Sequence, residues 1–154
     1  MNTWKSEPIP EKQMTDDGKY GEKMARLLLK KKGYWLGQID WCGIKDNKLI
    51  MFEIKYKKKF TPPPFIGHGL DIRQINNRMK IYEITKLPTF FMVLDKEDNN
   101  WYVQWLHKLE SADPKDKFDT KFGIRIYKLE LFTALPNFEN PLQRQSGGVS
   151  QTTT

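Results

Sequence analysis

Two β-prone runs, YWLGQIDWCGI and KLIMFEIKY, are joined by the short stretch KDNK. So brief a connection leaves room for a hairpin and little else, and the Asp46-Asn47 pair suits a tight turn. The two runs are therefore expected to pair antiparallel. They also carry three charged side chains, Asp40, Glu53 and Lys55, which a strand holds only on a wet face or at a site that uses them.

The surrounding pattern alternates helices and strands. The stretch DDGKYGEKMARLLLKKKG offers Asp16 or Asp17 as an N-cap, apolar Met24, Leu27 and Leu28 at helical spacing, and Gly33 as a stop after Lys30 to Lys32, so a helix is expected to end near Lys32. After the hairpin come the basic run KYKKKF and the triple proline Pro62 to Pro64, which cannot continue a central strand and read as a loop. A second helix is expected from about Leu70 to Thr85, with Ile72, Ile75, Met79 and Tyr82 on one face and Pro88 closing it. TFFMVLD and WYVQWLH then read as strands around the turn KEDNN, and IRIYKLELF as a late strand. The order α, β, β, β, α, β, β and a final strand indicates an α/β fold with a mixed sheet.

A chain of 154 residues is sized for one domain. The expected organisation is an irregular arm over residues 1–15, a folded domain over 16–135, and a disordered tail over 136–154, where apolar periodicity is lost. The formal charge of +7 and a pI near 9.4 favour a polyanionic partner, with nucleic acid ahead of a membrane surface. The single cysteine, Cys42, and an N-terminus without an apolar signal core point to an intracellular, cytoplasmic protein. No apolar run approaches the roughly 20 residues that span a bilayer, so no membrane partner is expected.

Glu53 and Lys55 lie two apart on a strand, so both leave the same face with Cα atoms about 6.6 Å apart. Ile50, Phe52, Ile54 and Tyr56 mark the other face as apolar, and the charged face is expected to line a cleft. Antiparallel pairing brings Asp40 toward Glu53, and two carboxylates so close repel unless a proton or cation stabilises them. No Cys or His cluster competes for a softer metal, so Mg²⁺ or Mn²⁺ held by carboxylate oxygens is the natural stabiliser. Lys55 beside such an ion is placed to orient or deprotonate a water and to stabilise charge on a phosphorus centre.

Asp40, the hairpin turn and then Glu53-Ile54-Lys55, with a preceding helix that carries Glu22, resemble the signature of the PD-(D/E)XK nuclease superfamily, as found in archaeal Holliday-junction resolvases and in phage and restriction-type nucleases. The resemblance spans about residues 17 to 106. It implies a restriction-endonuclease-like α/β core, a mixed central β-sheet flanked by helices, in which helix, three strands, helix and strand follow in order. It also implies metal-dependent hydrolysis of phosphodiester bonds in DNA, branched DNA among the substrates, by a structure-selective endonuclease that works as a homodimer. On this resemblance Asp40 and Glu53 are metal ligands, the Ile54 carbonyl a further one, Lys55 the catalytic lysine, and Glu22 an additional ligand through the first helix. Gln74 falls where several subfamilies place a polar residue on the helix after the motif strand. The match departs at Ile39, where the signature has its proline, and at Arg78, where a QxxxY pair would have its tyrosine.

Each of these residues also has an ordinary reading. Glu53 and Lys55 can be a solvated strand face; Glu22 can pair with Arg26 one turn on; Gln74 and Arg78 can line a wet helix edge. Lys57, Lys58 and Lys59, directly after the motif strand, are expected to meet a phosphate backbone together with Arg73 and Arg78, and His68 in its glycine-flanked loop is a further candidate contact. A non-catalytic nucleic-acid-binding module of the same fold is the alternative, and an interaction or virion component a third. A phage-encoded protein would act in the host cytoplasm.

Overall fold

The computed structural model describes residues 15–137, which fall into two compact units divided between residues 37 and 38. The expected arm, apart from Thr15, and the tail beyond Asn137 lie outside the described residues. The first unit carries helix α1 (Asp16–Lys31). Thr15 caps it by accepting the Gly18 N–H at 3.2 Å, and acidic Asp16 and Asp17 in the first turn with Lys30 and Lys31 in the last complement the helix dipole.

The second unit opens with the hairpin. Strands β1 (Trp41–Lys45) and β2 (Lys48–Lys57) pair antiparallel from Lys45 opposite Lys48 to Trp41 opposite Phe52. Asp46 and Asn47 between them both hold positive φ, 51° and 58°, as a two-residue type I′ turn requires. β1 is shorter than the run YWLGQIDWCGI: residues 34–40 are not strand.

Strand β3 (Gly67–Asp71) follows the proline loop and leads straight into helix α2 (Ile72–Thr85). The helix begins two residues later than its apolar spacing suggests, because Asp71 caps it by accepting the Arg73 N–H at 2.8 Å. Lys86 ends it in the left-handed conformation, φ 60°. Strands β4 (Thr89–Asp95) and β5 (Asn100–Trp105) form the expected second hairpin, but the run WYVQWLH then turns into a short helix, α3 (Leu106–Glu110). Strands β6 (Lys117–Asp119), β7 (Ile124–Lys128) and β8 (Thr133–Pro136) are the last among the described residues, and β8 reaches one residue past the boundary expected at 135.

The central sheet has the order β1-β2-β4-β5-β8. Its β2–β4 pair is parallel, across the connection that holds α2, and its other pairs are antiparallel, which makes the α/β fold a mixed one. β3, β7 and β6 form a second, antiparallel sheet. The core joins Phe91 and Val93 of β4, Tyr102 of β5, Ile75 of α2, Leu106 and Leu109 of α3, and Leu70 and Tyr127 of the second sheet. Each such side chain contributes roughly 1.5–3 kcal/mol by leaving water. No helix among the described residues is long and apolar enough to cross a membrane.

The two faces of β2 reverse the sequence expectation. Phe91 and Val93, opposite Glu53 and Lys55 in the parallel register, belong to the core, so the charged face of β2 is the inward one. The apolar face is more open, with Ile54 38% and Tyr56 65% exposed.

β3 exists because of its glycines. A Cβ at Gly67 would stand 2.0 Å from the Tyr127 carbonyl oxygen, and one at Gly69 2.7 Å from that of Arg125, both on β7. Gly67→Ala is therefore expected to prise β3 from β7 and cost on the order of 1–3 kcal/mol. Urea unfolding followed by circular dichroism checks this; a midpoint equal to wild type would show that the two strands separate without penalty.

Candidate functional site

The hairpin turn fixes which residues of β1 and β2 face each other. Continuing its register by one position beyond Trp41–Phe52 sets Asp40 opposite Glu53, on the inward face. The Asp40 Oδ2 accepts the backbone N–H of Ile54 at 3.4 Å, so the carboxylate rests against the strand that carries Glu53 and Lys55.

Glu53 has no accessible surface, and its carboxylate is enclosed by donors. Its Oε1 meets the Lys55 ammonium at 2.8 Å and accepts from the Gln74 amide at 3.2 Å; its Oε2 accepts from Arg78 at 2.7 Å. Gln74 and Arg78 stand one turn apart on α2, the spacing that puts both on the same helix face. Arg78 is itself only 2% exposed. A small pocket of about 150 Å³ adjoins the cluster, lined by Gln38, Asp40, Gln74, Asn77 and Arg78.

Asp40, Glu53, Ile54, Lys55, Gln74 and Arg78 thus come together as one constellation. Gln74 is a partner of Glu53, not part of a solvated helix edge, and Arg78, expected at the surface against nucleic acid, is buried against the same carboxylate. Glu22 lies on α1 in the first unit, where its carboxylate is 3.9 Å from Arg26 on the next turn, the ordinary i,i+4 pairing.

The basic run divides by strand alternation. Lys57 ends β2 on the inward face and donates to the Gly69 carbonyl of β3. Lys58 is exposed. Lys59 turns in to ion pairs of 2.8 Å with both Asp95 and Asp98. Arg73 is exposed at the start of α2 and paired with Asp71. Of the five expected backbone contacts, Lys58 and Arg73 have the exposure that role needs.

His68 is not a loop residue. It sits in β3 with no accessible surface, and its Nε2–H donates to Asp95 at 2.9 Å. Burial outweighs Asp95 and holds its pKa below the usual histidine value, which favours the neutral ring; its Nδ1 has no partner among the described residues. Burial pushes the Asp95 carboxyl up, yet the hydrogen bonds from Lys59 and the Glu97 N–H outweigh it and hold the group below the usual range. This second polar cluster extends through Lys59 to Asp98 and to the Tyr102 hydroxyl, 2.5 Å from Asp98. Asp95, Asp98 and Asn77 were not foreseen as polar anchors; Asp95 alone carried a signal, since it ends the apolar run TFFMVLD.

Asp40, Gln38, Gln74 and Asn77 line the pocket and Glu53 is bonded to Gln74 and Arg78 of its wall, so the side chains present carry hard oxygens, which fit Mg²⁺ or Mn²⁺ in type. Among the described residues no group of three or more His, Cys, Asp or Glu is placed to hold a metal, so such an ion would rest on the Asp40–Glu53 pair.

No protein-family model and no curated protein matches the chain. Among solved structures it is similar to the 1.6 Å structure of Hjc, a Holliday junction resolvase from the archaeal hyperthermophile Archaeoglobus fulgidus, with a TM-score of 0.39, 10% identity, and coverage of 75% of this chain and 91% of that one.

Burial, helped by the charge of Lys55 and opposed by Glu53, lowers the Lys57 pKa from 10.5 to about 8. Between those values the unfolded chain holds a proton that the folded chain has released, so the Lys57 contribution to stability rises with pH across that window and is flat below it. The stability of wild type minus that of Lys57→Met is expected to grow by roughly 1–3 kcal/mol from pH 8 to 10.5. Urea unfolding of both proteins at several pH values measures it, and a constant difference would mean that Lys57 keeps an ordinary pKa.

Proposed function

We propose that the protein is a metal-dependent nuclease that hydrolyses phosphodiester bonds in DNA. The observation that supports this reading best is the Ile54 N–H bond to Asp40, which joins the upstream acid to the Glu53-Ile54-Lys55 strand in the arrangement the PD-(D/E)XK resemblance calls for.

Asp40 and Glu53, with the Ile54 carbonyl, would hold Mg²⁺ or Mn²⁺. When bound there, the ion supplies a water of lowered pKa and neutralises charge on the phosphate. The chain's own groups do the rest. Lys55, 28% exposed and 2.8 Å from Glu53, orients the attacking water and meets the charge that builds as its oxygen bonds to phosphorus and the bond to the departing sugar oxygen breaks. Gln74 fixes the rotamer of Glu53 through its amide. Lys58 and Arg73 hold the backbone of the substrate. A structure-selective endonuclease working as a homodimer inside the cell, on branched DNA of the Holliday-junction kind, is the form this reading takes.

A second reading, a binding module without catalysis, is favoured by one observation. Arg78 and Lys55 both engage Glu53, so the carboxylate is already answered by more positive charge than it carries.

Incubating the purified chain with labelled branched, duplex and single-stranded DNAs in Mg²⁺, Mn²⁺ or EDTA separates the two. Cleavage that requires metal and falls at least about 100-fold in both Glu53→Gln and Lys55→Ala is the expected result; salt-sensitive binding without cutting would establish the module instead. Lys58→Ala is expected to weaken binding on all sequences and to reduce the salt slope by about 1. An unchanged slope in filter-binding titrations would remove Lys58 from the interface.

A further inference from the structure

The Arg78 guanidinium occupies the side of Glu53 on which a cation would have to act. Its terminal nitrogen is 2.7 Å from Oε2, while Lys55 and Gln74 hold Oε1. Arg78 also lines the pocket that Asp40 enters, so the same side chain borders both carboxylates of the proposed ion pair of ligands. Its Nε is buried and has no hydrogen-bond partner among the described residues, which a side chain placed only to stabilise the fold would ordinarily satisfy. A guanidinium cannot shed its proton, so it leaves a carboxylate by moving, never by titrating.

We infer that Arg78 is a built-in counter-ion that competes with the divalent cation for Glu53: it neutralises the buried carboxylate when no cation is bound, and is displaced toward the pocket when one binds. This rests on the nuclease reading above and adds a positioning residue to it. Without such a stand-in, the buried Glu53 carboxylate would have Lys55 as its one direct ion-pair partner, with the Asp40 carboxylate set against it across the hairpin, a costly state for an anion. With it, the apo site is electrostatically complete, and cation binding is linked to release of an ion pair. The released guanidinium is then free to meet a phosphate oxygen in the pocket, a group that it binds in a fork geometry. Tying the two events together makes cation affinity low until a phosphate is present to accept Arg78.

The test is binding of Mn²⁺ to the full chain, read by the electron paramagnetic resonance of free ion, for wild type, Arg78→Met and Glu53→Gln. Competition of this kind is typically worth five- to 150-fold, and Arg78→Met is expected to bind Mn²⁺ about tenfold more tightly than wild type, while Glu53→Gln binds more weakly. If Glu53→Gln binds as wild type does, the cation does not use Glu53 and the nuclease site itself is misassigned. If Glu53→Gln is weakened but Arg78→Met is no tighter, only the counter-ion role is overturned. Should Arg78→Met fail to fold, the wild type answers alone. Saturation with Mg²⁺ is expected to shift the side-chain nitrogen resonances of the buried arginine, and resonances that stay in place at saturation would sink the inference.

Discussion

A carboxylate sealed from water has to be answered by positive charge, and the site is arranged around that requirement at Glu53. Lys55 reaches it from two residues along the same strand, Gln74 and Arg78 from successive turns of α2, and Asp40 stands across the hairpin. Each depends on a different part of the fold: alternation along β2, the pitch and seating of α2, and the register of β1. Helix α2 is seated by Ile75 in the same core that takes Phe91 and Val93. The packing of apolar groups thus places the polar ones, and the tolerance of the site is that of a close-packed interior.

The same logic is repeated at the other end of β2. Lys57 and Lys59 turn inward, and the buried pair His68 and Asp95 links the second sheet to the last residue of β4. Here the burial of a neutral histidine keeps the charge account simple. Lys59 answers Asp95, and His68 contributes a hydrogen bond without a charge. The two clusters share β2 as a common wall but differ in exposure, since the first borders a pocket and the second is sealed by Tyr102 and Phe132 against the imidazole.

What could be read from the residues was what short-range physics controls. The Asp46-Asn47 turn, the motif strand, the apolar run of β4 and the helix after the prolines all follow from local preference and periodicity, and with them the convergence of Asp40, Glu53 and Lys55. The rest depended on partners distant in sequence. Gly-His-Gly has little strand propensity, and β3 forms by pairing with β7, which passes too near positions 67 and 69 for any side chain there. WYVQWLH keeps a strand-like pattern into α3, where Leu106 and Leu109 are drawn into the core. Arg78 reads as a surface cation until Glu53 is known to lie beneath it, and the apolar face of β2 reads as the buried one until the core is seen to take the charged side.

The two-residue turn between β1 and β2 has a consequence for how this protein can change over time. Asp40 and Glu53 are held opposite each other by counting residues through Asp46 and Asn47, and side chains alternate sides with every step. A one-residue slip of that register would carry Asp40 to the far side of the sheet while leaving the strand pair itself intact. Substitutions at the two turn positions can therefore accumulate so long as the turn's backbone angles are respected, whereas a change in length that slips the register would disconnect the acid from the motif in a single event. The turn works as a ruler for chemistry carried out several residues away.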